Sequence, residues 1–517
     1  MQESLEYSCP RCMHSFNLFD VDTTPALVSS DIVKSNDPPS ESQVPVLQDF
    51  ISKGRTRMAA LESKIELLDS LMDKLVEEKN ELAAEICMHE GSLSPLRRMP
   101  TEILSHIFAF TLPPHHPGAE PAPWTVSAVC ARWRAISVSQ PCFWTTIQYD
   151  DDLNGTSVFK YRTQLSRSGQ LPLNIEFRAN YWGVLTPEAR RILDLVCVHS
   201  ERWGSVSFMV PKEVYRQLRP VIQGSLPRLR TLEIDIPLSV YDDWDEDGQD
   251  ALWDLNDAPV LHTVFFNREL WGFPLTMSLP WSQLRRYGGC SEWDTHLDAL
   301  RKAPNLVDCS LEIQDWSSVT EDPVLLPHLR RLSLSSPYFL ESLQTPALEE
   351  LYCDYDASPI LSFLQQQTCK LQKLVMWDCS MDPDPVDLTR IVEALPTIRH
   401  LACFFPLPIE FVRDFRSQSS TLAPALEDFS SFLDIDIDSG TDDELKNKFM
   451  EAIESRWRSG PLKSVKIYGP NLRIVGDRLD LLRTEGMECA VFLHEHSRSL
   501  ENLDDTIPPE LQILSVQ

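Results

Sequence analysis

A six-residue phrase with large apolar residues at its first, fourth and sixth positions returns through most of this 517-residue chain. Leu329, Leu332 and Leu334 form one copy. Counted between first positions from Leu229 to Leu462, ten copies follow one another at steps of 32, 23, 22, 23, 19, 23, 27, 28 and 36 residues. A single unit of this length cannot bury its own apolar side, so the pattern predicts units that stack on one another and share a core.

Each unit also has a constant layout around the phrase. A proline often stands just before it, as at Pro227 and Pro327, and residues 386–395 and 444–457 have helical patterns. An earlier member with Trp203 at its first position opens the series. The central steps and the phrase L-x-x-L-x-L resemble degenerate leucine-rich repeats, which implies an α/β solenoid over residues 171–493. A doubly wound α/β domain is the alternative, although its βαβ units need about 30 residues or more.

A second periodic segment precedes the repeats, at residues 55–91. Apolar residues recur there at alternating steps of three and four over about four heptads. The positions of this stripe are Met58, Leu61, Ile65, Leu68, Met72, Leu75, Lys79, Leu82 and Ile86. The spacing predicts one long amphipathic helix of coiled-coil type, and residues 58–86 are a candidate homodimer interface. The stripe could equally fold onto the same chain, and Lys79 weakens the dimer interpretation.

Residues 92–148 read as a small all-helical module. Ile103, Leu104, Ile107 and Phe108 share one helical face. A proline-rich loop, 113–123, leads to a second helix, and Pro141 ends it. So short a module carries more apolar surface than its helices can bury among themselves. Taken alone, this surplus favours a cap on the downstream domain.

The module resembles an F-box. Three blocks carry the resemblance, in family order: Leu96 with Met99-Pro100-Thr101-Glu102-Ile103-Leu104, then Val129-Cys130 with Trp133-Arg134, then Pro141 with Phe143-Trp144. The family pattern implies docking on the adaptor subunit of SCF-type cullin–RING ubiquitin ligases. Carried over to this chain, the adaptor-binding residues are Met99, Pro100, Ile103, Leu104, Ile107, Phe108, Val129, Cys130, Trp133 and Trp144. The long proline-rich loop departs from the compact form of the family.

Composition limits the classes of binding partner and the cellular compartment that we expect. The net charge of −30 disfavours a phosphate backbone as partner. No secretory signal and no run of 18 apolar residues is visible, and thirteen scattered cysteines do not make a disulfide framework. We therefore expect a cytoplasmic or nuclear protein that binds neither nucleic acid nor membrane. Residues 1–50 are predicted to be disordered, and residues 494–517 to form a C-terminal tail.

Several local patterns suggest metal sites, and none has a complete ligand set. Cys9 and Cys12 form a lone CxxC pair, and residues 243–254 depart from a calcium loop at two positions. No motif nominates a nucleophile and base, so we expect no catalytic residue, no metal, no cofactor and no enzyme activity.

Two functions of different classes fit the sequence. The first is a substrate-recognition subunit of an SCF-type E3 ubiquitin ligase, in which the F-box docks the adaptor and the repeats bind a target protein. The second is a ligase-independent scaffold that the heptad helix dimerises. In both, outward strand residues and the acidic loops would bind the partner.

Overall fold

The computed structural model describes residues 6–8, 15–17, 38–112, 122–151, 157–179, 185–222, 226–235, 253–267, 277–314, 323–366, 369–377, 384–417, 421–433, 442–469 and 473–493. The chain divides into two units, residues 1–104 and residues 105–517. Two predictions lie outside the described residues: the CxxC pair with its neighbours and the C-terminal tail. Most of the predicted disordered segment and of the acidic loop 243–254 also lies outside them.

The first unit contains a short antiparallel pair, β1 (Glu6–Ser8) and β2 (Ser15–Asn17), and a 50-residue helix, α1 (Val44–Leu93). The predicted long helix is thus present, and it begins eleven residues before residue 55. Pro45 stands in its first turn, where a missing N–H costs no hydrogen bond. A short helix, α2 (Pro95–Arg98), follows. The next helix, α3 (Thr101–Ala109), starts in this unit and continues into the second.

Helices and strands alternate through the second unit. Its further helices are α4 (Ala122–Val129), α5 (Ala131–Ser139), α6 (Val158–Arg167), α7 (Pro187–Cys197), α8 (Lys212–Ile222), α9 (Trp293–Lys302), α10 (Ala357–Gln366), α11 (Pro385–Glu393), α12 (Ile409–Ser417), α13 (Asp442–Ser459) and α14 (Arg473–Thr484). Within the described ranges, no helix of the chain is both long and apolar enough to cross a membrane.

Within the residues that the structure describes, fourteen strands form one parallel sheet. They are β3 (Thr146–Asp150), β4 (Leu173–Arg178), β5 (Trp203–Met209), β6 (Thr231–Asp235), β7 (Thr263–Asn267), β8 (Arg286–Ser291), β9 (Asp308–Ile313), β11 (Arg331–Leu334), β13 (Glu350–Asp354), β14 (Lys373–Trp377), β15 (His400–Pro406), β16 (Asp428–Phe432), β17 (Ser464–Gly469) and β18 (Glu488–Leu493). A separate short pair joins β10 (Val324–Leu325) to β12 (Leu343–Gln344). Each strand of the large sheet pairs with its neighbours in chain order. A doubly wound domain would reverse that order at a switch point, so the predicted α/β repeat is confirmed and the alternative is wrong.

The repeated phrase matches the register in which neighbouring strands of this sheet pair. The fourth position of one copy pairs with the fourth position of the next, as Leu332 does with Leu351 and Leu351 with Leu374. The side chains at the first, fourth and sixth positions are almost all fully buried in one continuous core with the helices. Strand side chains alternate between the two faces, so the intervening residues lie on the other face of the sheet.

Three strands extend the array beyond the phrases that the sequence revealed: β3, β4 and β18. In each, the fourth and sixth positions are apolar, as Ile147 and Tyr149 are in β3. Their first positions are Trp144 for β3, Pro172 for β4 and Gly486 for β18, and the last two are not large apolar residues. The array therefore starts at residue 146, earlier than the predicted boundary at 171.

Buried polar side chains connect neighbouring repeats, and Arg456 and His296 are two examples. Arg456 in α13 donates from Nε to the Phe415 carbonyl at 2.9 Å and from Nη1 to the Ala423 carbonyl at 3.1 Å, while Nη2 donates to the Leu422 carbonyl. His296 in α9 lies 3.1 Å from the Tyr287 hydroxyl through Nδ1 and 3.2 Å from the Glu312 carbonyl oxygen through Nε2. Both side chains satisfy backbone groups that the stacked units bury.

Candidate functional site

Helices α4 and α5 build the part of the predicted module that belongs to the second unit. Arg134 in α5 donates from Nε to the Ser127 carbonyl in α4 at 2.9 Å, which fixes the two helices to each other. The Trp133 ring in α5 lies 4.7 Å from the Phe108 ring in α3. Aromatic contacts of this kind stabilise small cores beyond the area they bury.

The ten residues predicted to bind an adaptor separate by exposure. Leu104, Phe108 and Trp144 are buried, and Met99 and Trp133 are half-buried. Five are exposed: Pro100, Ile103, Ile107, Val129 and Cys130. The exposed and half-buried residues are accessible to a partner in the folded module, whereas Leu104, Phe108 and Trp144 lie in its interior.

Trp144 has a role that its place in the family pattern does not reveal. Together with Ile147 and Tyr149 it completes the repeat phrase of β3, and it holds the same phrase position as Trp203, the first residue of β5. The indole N–H of Trp144 donates to the Ser137 carbonyl at 2.8 Å, and that of Trp203 donates to the Val196 carbonyl at 3.3 Å. The closing tryptophan of the predicted F-box is thus also the first residue of the repeat array.

Further contacts join the helical module to the first repeat. The rings of Trp124 and Trp144 meet edge to face at 5.0 Å, and the Arg167 guanidinium of α6 lies 4.4 Å from the Trp144 ring. One side of the module therefore caps the start of the sheet, as its surplus of apolar surface led us to expect.

Other apolar side chains of this module are exposed to solvent. Ile107 is 40% exposed, Val129 59% and Phe110 76%. Isolated apolar side chains are ordinary on protein surfaces, whereas a contiguous patch of them marks an interaction site, so these three residues are candidates for contact with a partner. The sequence pattern did not single out Phe110; its i+3 spacing from Ile107 was the available signal.

Cys130 has a local structural role. It is the residue before α5, in extended backbone conformation, and its Sγ accepts a hydrogen bond from the Trp133 backbone N–H at 3.4 Å. That is the N-cap geometry usually supplied by Ser, Thr or Asp. The exposed thiol therefore stabilises the helix start whether or not a partner covers it.

A ladder of charged side chains crosses the face of the sheet opposite the helices. It occupies the third phrase position of consecutive strands: Arg286, Asp308, Arg331, Glu350, Lys373, His400 and Asp428. From Arg286 to Lys373 its members alternate in sign. Nitrogen–oxygen distances are 3.4 Å for Arg286 to Asp308, 3.3 Å for Arg331 to Asp308 and 3.1 Å for Arg331 to Glu350. We call this set the charge ladder.

The centre of the charge ladder is electrostatically coupled. Hydrogen bonding to Glu350 raises the pKa of Arg331 against the opposing effect of its burial. Partial burial would raise the pKa of Glu350, but the hydrogen bonds from Arg331 and Tyr352 outweigh it and lower that pKa. For Asp308 burial prevails, and its pKa is raised despite Arg331 and Arg286. Arg331 is therefore the cation on which both neighbouring carboxylates depend.

A recess of about 320 Å³ opens beside these residues, lined by Arg331, Glu349, Glu350, Tyr352, Gln372, Lys373 and His400. Next to it lies a cluster of buried apolar side chains on the same face: Tyr352, Val375, Trp377, Ala402, Phe404 and Tyr468. The cluster stabilises the sheet, and the polar recess is the accessible part. The recess can accept hydrogen-bonding groups of either charge, which suits a protein surface.

Sequence reasoning missed the charge ladder although its signal was present. When the phrases are aligned, the third position alternates between basic and acidic residues from Arg286 to Glu350. The predicted stacking makes consecutive copies neighbours, and the strand register shows that their third positions lie directly opposite one another.

Comparison of the sequence with models of known families finds no match, and comparison with curated proteins finds none either.

Proposed function

We propose that the chain is a substrate-recognition subunit of an SCF-type cullin–RING ubiquitin ligase. The apolar side chains that α3 and α4 leave exposed, above all Ile107 and Val129, would dock the adaptor. The strand face with the charge ladder would bind the target protein. The F-box assignment depends on the three sequence blocks, and the exposed apolar surface is the observation that supports docking. This function implies a location in the cytoplasm or nucleus.

A pull-down with the ligase adaptor tests the proposal. The double variant Ile107→Asp/Val129→Asp places two charges where apolar contact is expected, and adaptor recovery should fall at least tenfold, because each buried apolar side chain contributes about 1–2 kcal/mol. Both positions are exposed, so the variant should keep its circular dichroism spectrum and melting temperature.

A matched control carries the same chemical change on another surface. Val198 is 75% exposed just after α7, and Val198→Asp should recover as much adaptor as wild type. Equal recovery by wild type and by the double variant would remove the docking function.

The second candidate, a ligase-independent scaffold, is favoured by the exposed apolar stripe of α1. A wild-type chain that fails to bind the adaptor but captures a partner through the strand face would support it.

A further inference from the structure

The long helix α1 has no buried residue along its 50 positions. The apolar members of its heptad stripe are between 38% and 62% exposed, from Leu68 to Leu75. Most of the stability of a protein helix comes from packing of its apolar face rather than from intrinsic propensity. A stripe of this length and exposure is therefore a contact surface, and its occupant can be inferred from the residues that flank it.

With Met58 at heptad position a, the stripe alternates a and d as far as Ile86. The flanking positions e and g carry a charge gradient. In the first half they hold three basic residues, Arg55, Arg57 and Lys64, against two acids, Glu62 and Asp69, which leaves a net positive charge. In the second half their charged residues are acids only, at Glu78, Glu85 and Glu90. Near the middle the flanks are apolar at Leu71 and Val76, which widens the stripe.

We propose that a second copy of this chain covers the stripe and that the two α1 helices run antiparallel, centred between Met72 and Leu75. In that arrangement the basic half of each helix lies along the acidic half of the other. The apolar flank at Leu71 lies close to the twofold axis, where each helix meets the same region of its copy.

The seam residue Lys79 favours the same orientation. In a parallel dimer in register, Lys79 lies opposite its own copy, so two ammonium groups share one core layer. In the antiparallel dimer the layer of Lys79 contains Leu68 of the other copy, and the two ammonium groups are separated by about 16 Å along the axis.

A parallel dimer has some favourable contacts of its own. Position g of one helix faces position e of the next heptad, which pairs Arg57 with Glu62 and Lys64 with Asp69. The same rule places Glu85 against Glu90. Together with the Lys79 layer, this repulsion leaves the parallel arrangement less favourable than the antiparallel one. The dimer requires only α1, so it is independent of adaptor docking.

Sedimentation velocity of the full chain tests whether the stripe is covered by a second copy. Wild type should sediment at twice the monomer mass. Leu75→Glu/Leu82→Glu should sediment as a monomer, because it introduces charges opposite Met72 and Ile65 in two apolar layers of the seam. Ser63→Glu/Ser70→Glu adds the same charges at outward positions f and should remain dimeric.

Zero-length carbodiimide cross-linking of the full chain tests the orientation. An antiparallel dimer should give peptides that join Lys64 to Glu85 or Glu78. Lys64 and Glu85 of one helix are about 31 Å apart, so that product cannot form within one chain. A parallel dimer should instead join Lys64 to Asp69 in mixed peptides from isotopically labelled and unlabelled copies.

A charge reversal provides an independent readout with opposite signs for the two orientations. Glu85→Lys should weaken the antiparallel dimer by roughly tenfold, since it replaces attraction by repulsion twice in each dimer. It should strengthen a parallel dimer by removing the contact with Glu90. Glu77→Lys, at an outward position f, is the matched control and should change little.

A monomer at every concentration, a dimer that survives Leu75→Glu/Leu82→Glu, or a dimer that Glu85→Lys strengthens would each overturn the proposal.

Discussion

Replacement of Arg456 gives the sharpest test of how the repeats are held together. Its guanidinium is buried, donates to three backbone carbonyls and lies 3.7 Å from the Phe415 ring centre. Those carbonyls belong to α12 and to the loop at Leu422 and Ala423, one repeat before α13. Ala423 has a φ of 49°, a left-handed conformation uncommon for alanine, and its carbonyl oxygen is one of the three acceptors.

The expected magnitude for Arg456→Met comes from two opposing effects. Three buried carbonyl oxygens lose a charge-assisted donor, at about 2 kcal/mol each, or about 6 kcal/mol together. Burial lowers the pKa of Arg456 to about 10, and removal of the buried charge returns roughly 3 kcal/mol. We expect a net loss of about 3 kcal/mol in the stability of this pair of repeats.

Arg456→Lys separates hydrogen-bond geometry from charge. An ammonium group keeps the charge but cannot reach three carbonyls in the planar arrangement of a guanidinium. The lysine variant should therefore be destabilised at least as much as the methionine variant. Arg458→Met is the control: Arg458 lies on the same helix, its side chain is 59% exposed, and its loss should have little effect.

Hydrogen exchange of the backbone amides in α12 and α13 is the appropriate assay, because repeat arrays open locally. A loss of 3 kcal/mol accelerates exchange through local opening by about a hundredfold. We call the three hydrogen bonds from Arg456 to carbonyl oxygens the carbonyl clamp. If Arg456→Lys keeps the wild-type protection from hydrogen exchange, the carbonyl clamp is refuted and Arg456 acts through its charge alone.

Two further predictions concern ionisable groups. Burial lowers the pKa of His296 to about 4, so its stabilising contribution is complete above pH 6.5 and is lost as the pH falls through 4; that loss is roughly 3 kcal/mol. Urea unfolding at several pH values should show this slope in wild type and not in His296→Gln, and an equal slope in both would contradict it. In the charge ladder, Arg331→Gln should raise the pKa of Glu350, because its strongest cationic partner is gone; carboxyl titration by NMR should detect the rise, and an unchanged Glu350 titration would show that Tyr352 and Lys373 hold the carboxylate.

For the candidate docking surface, the sequence motif predicts which residues share a helix but not which of them are exposed. The spacing of the three blocks placed Ile107 and Phe108 on one helix, and both lie in α3. The spacing could not show that Ile107 is exposed while Phe108 contacts Trp133. Which of two adjacent residues is covered depends on where the neighbouring helix packs. Docking itself remains a prediction.

The fold was largely determined by the phrase with apolar residues at its first, fourth and sixth positions. Those side chains set the strand period, the core face and the spacing between units, so the parallel α/β array could be predicted from the sequence alone. The heptad stripe likewise determined α1. Pro172 and Gly486, the first positions of β4 and β18, do not match the phrase, and Trp144, the first position of β3, also belongs to the F-box-like blocks. The sequence therefore did not reveal these three strands.

Tertiary structure alone decided which residues from separate repeats become neighbours. The charge ladder brings Asp308, Arg331 and Glu350 together although about twenty residues separate each from the next. The carbonyl clamp of Arg456 likewise depends on the stacking of α13 on α12. Local periodicity specifies which face of a strand or helix is apolar, whereas contacts across units depend on the order and register in which the units stack, and no single repeat contains that information.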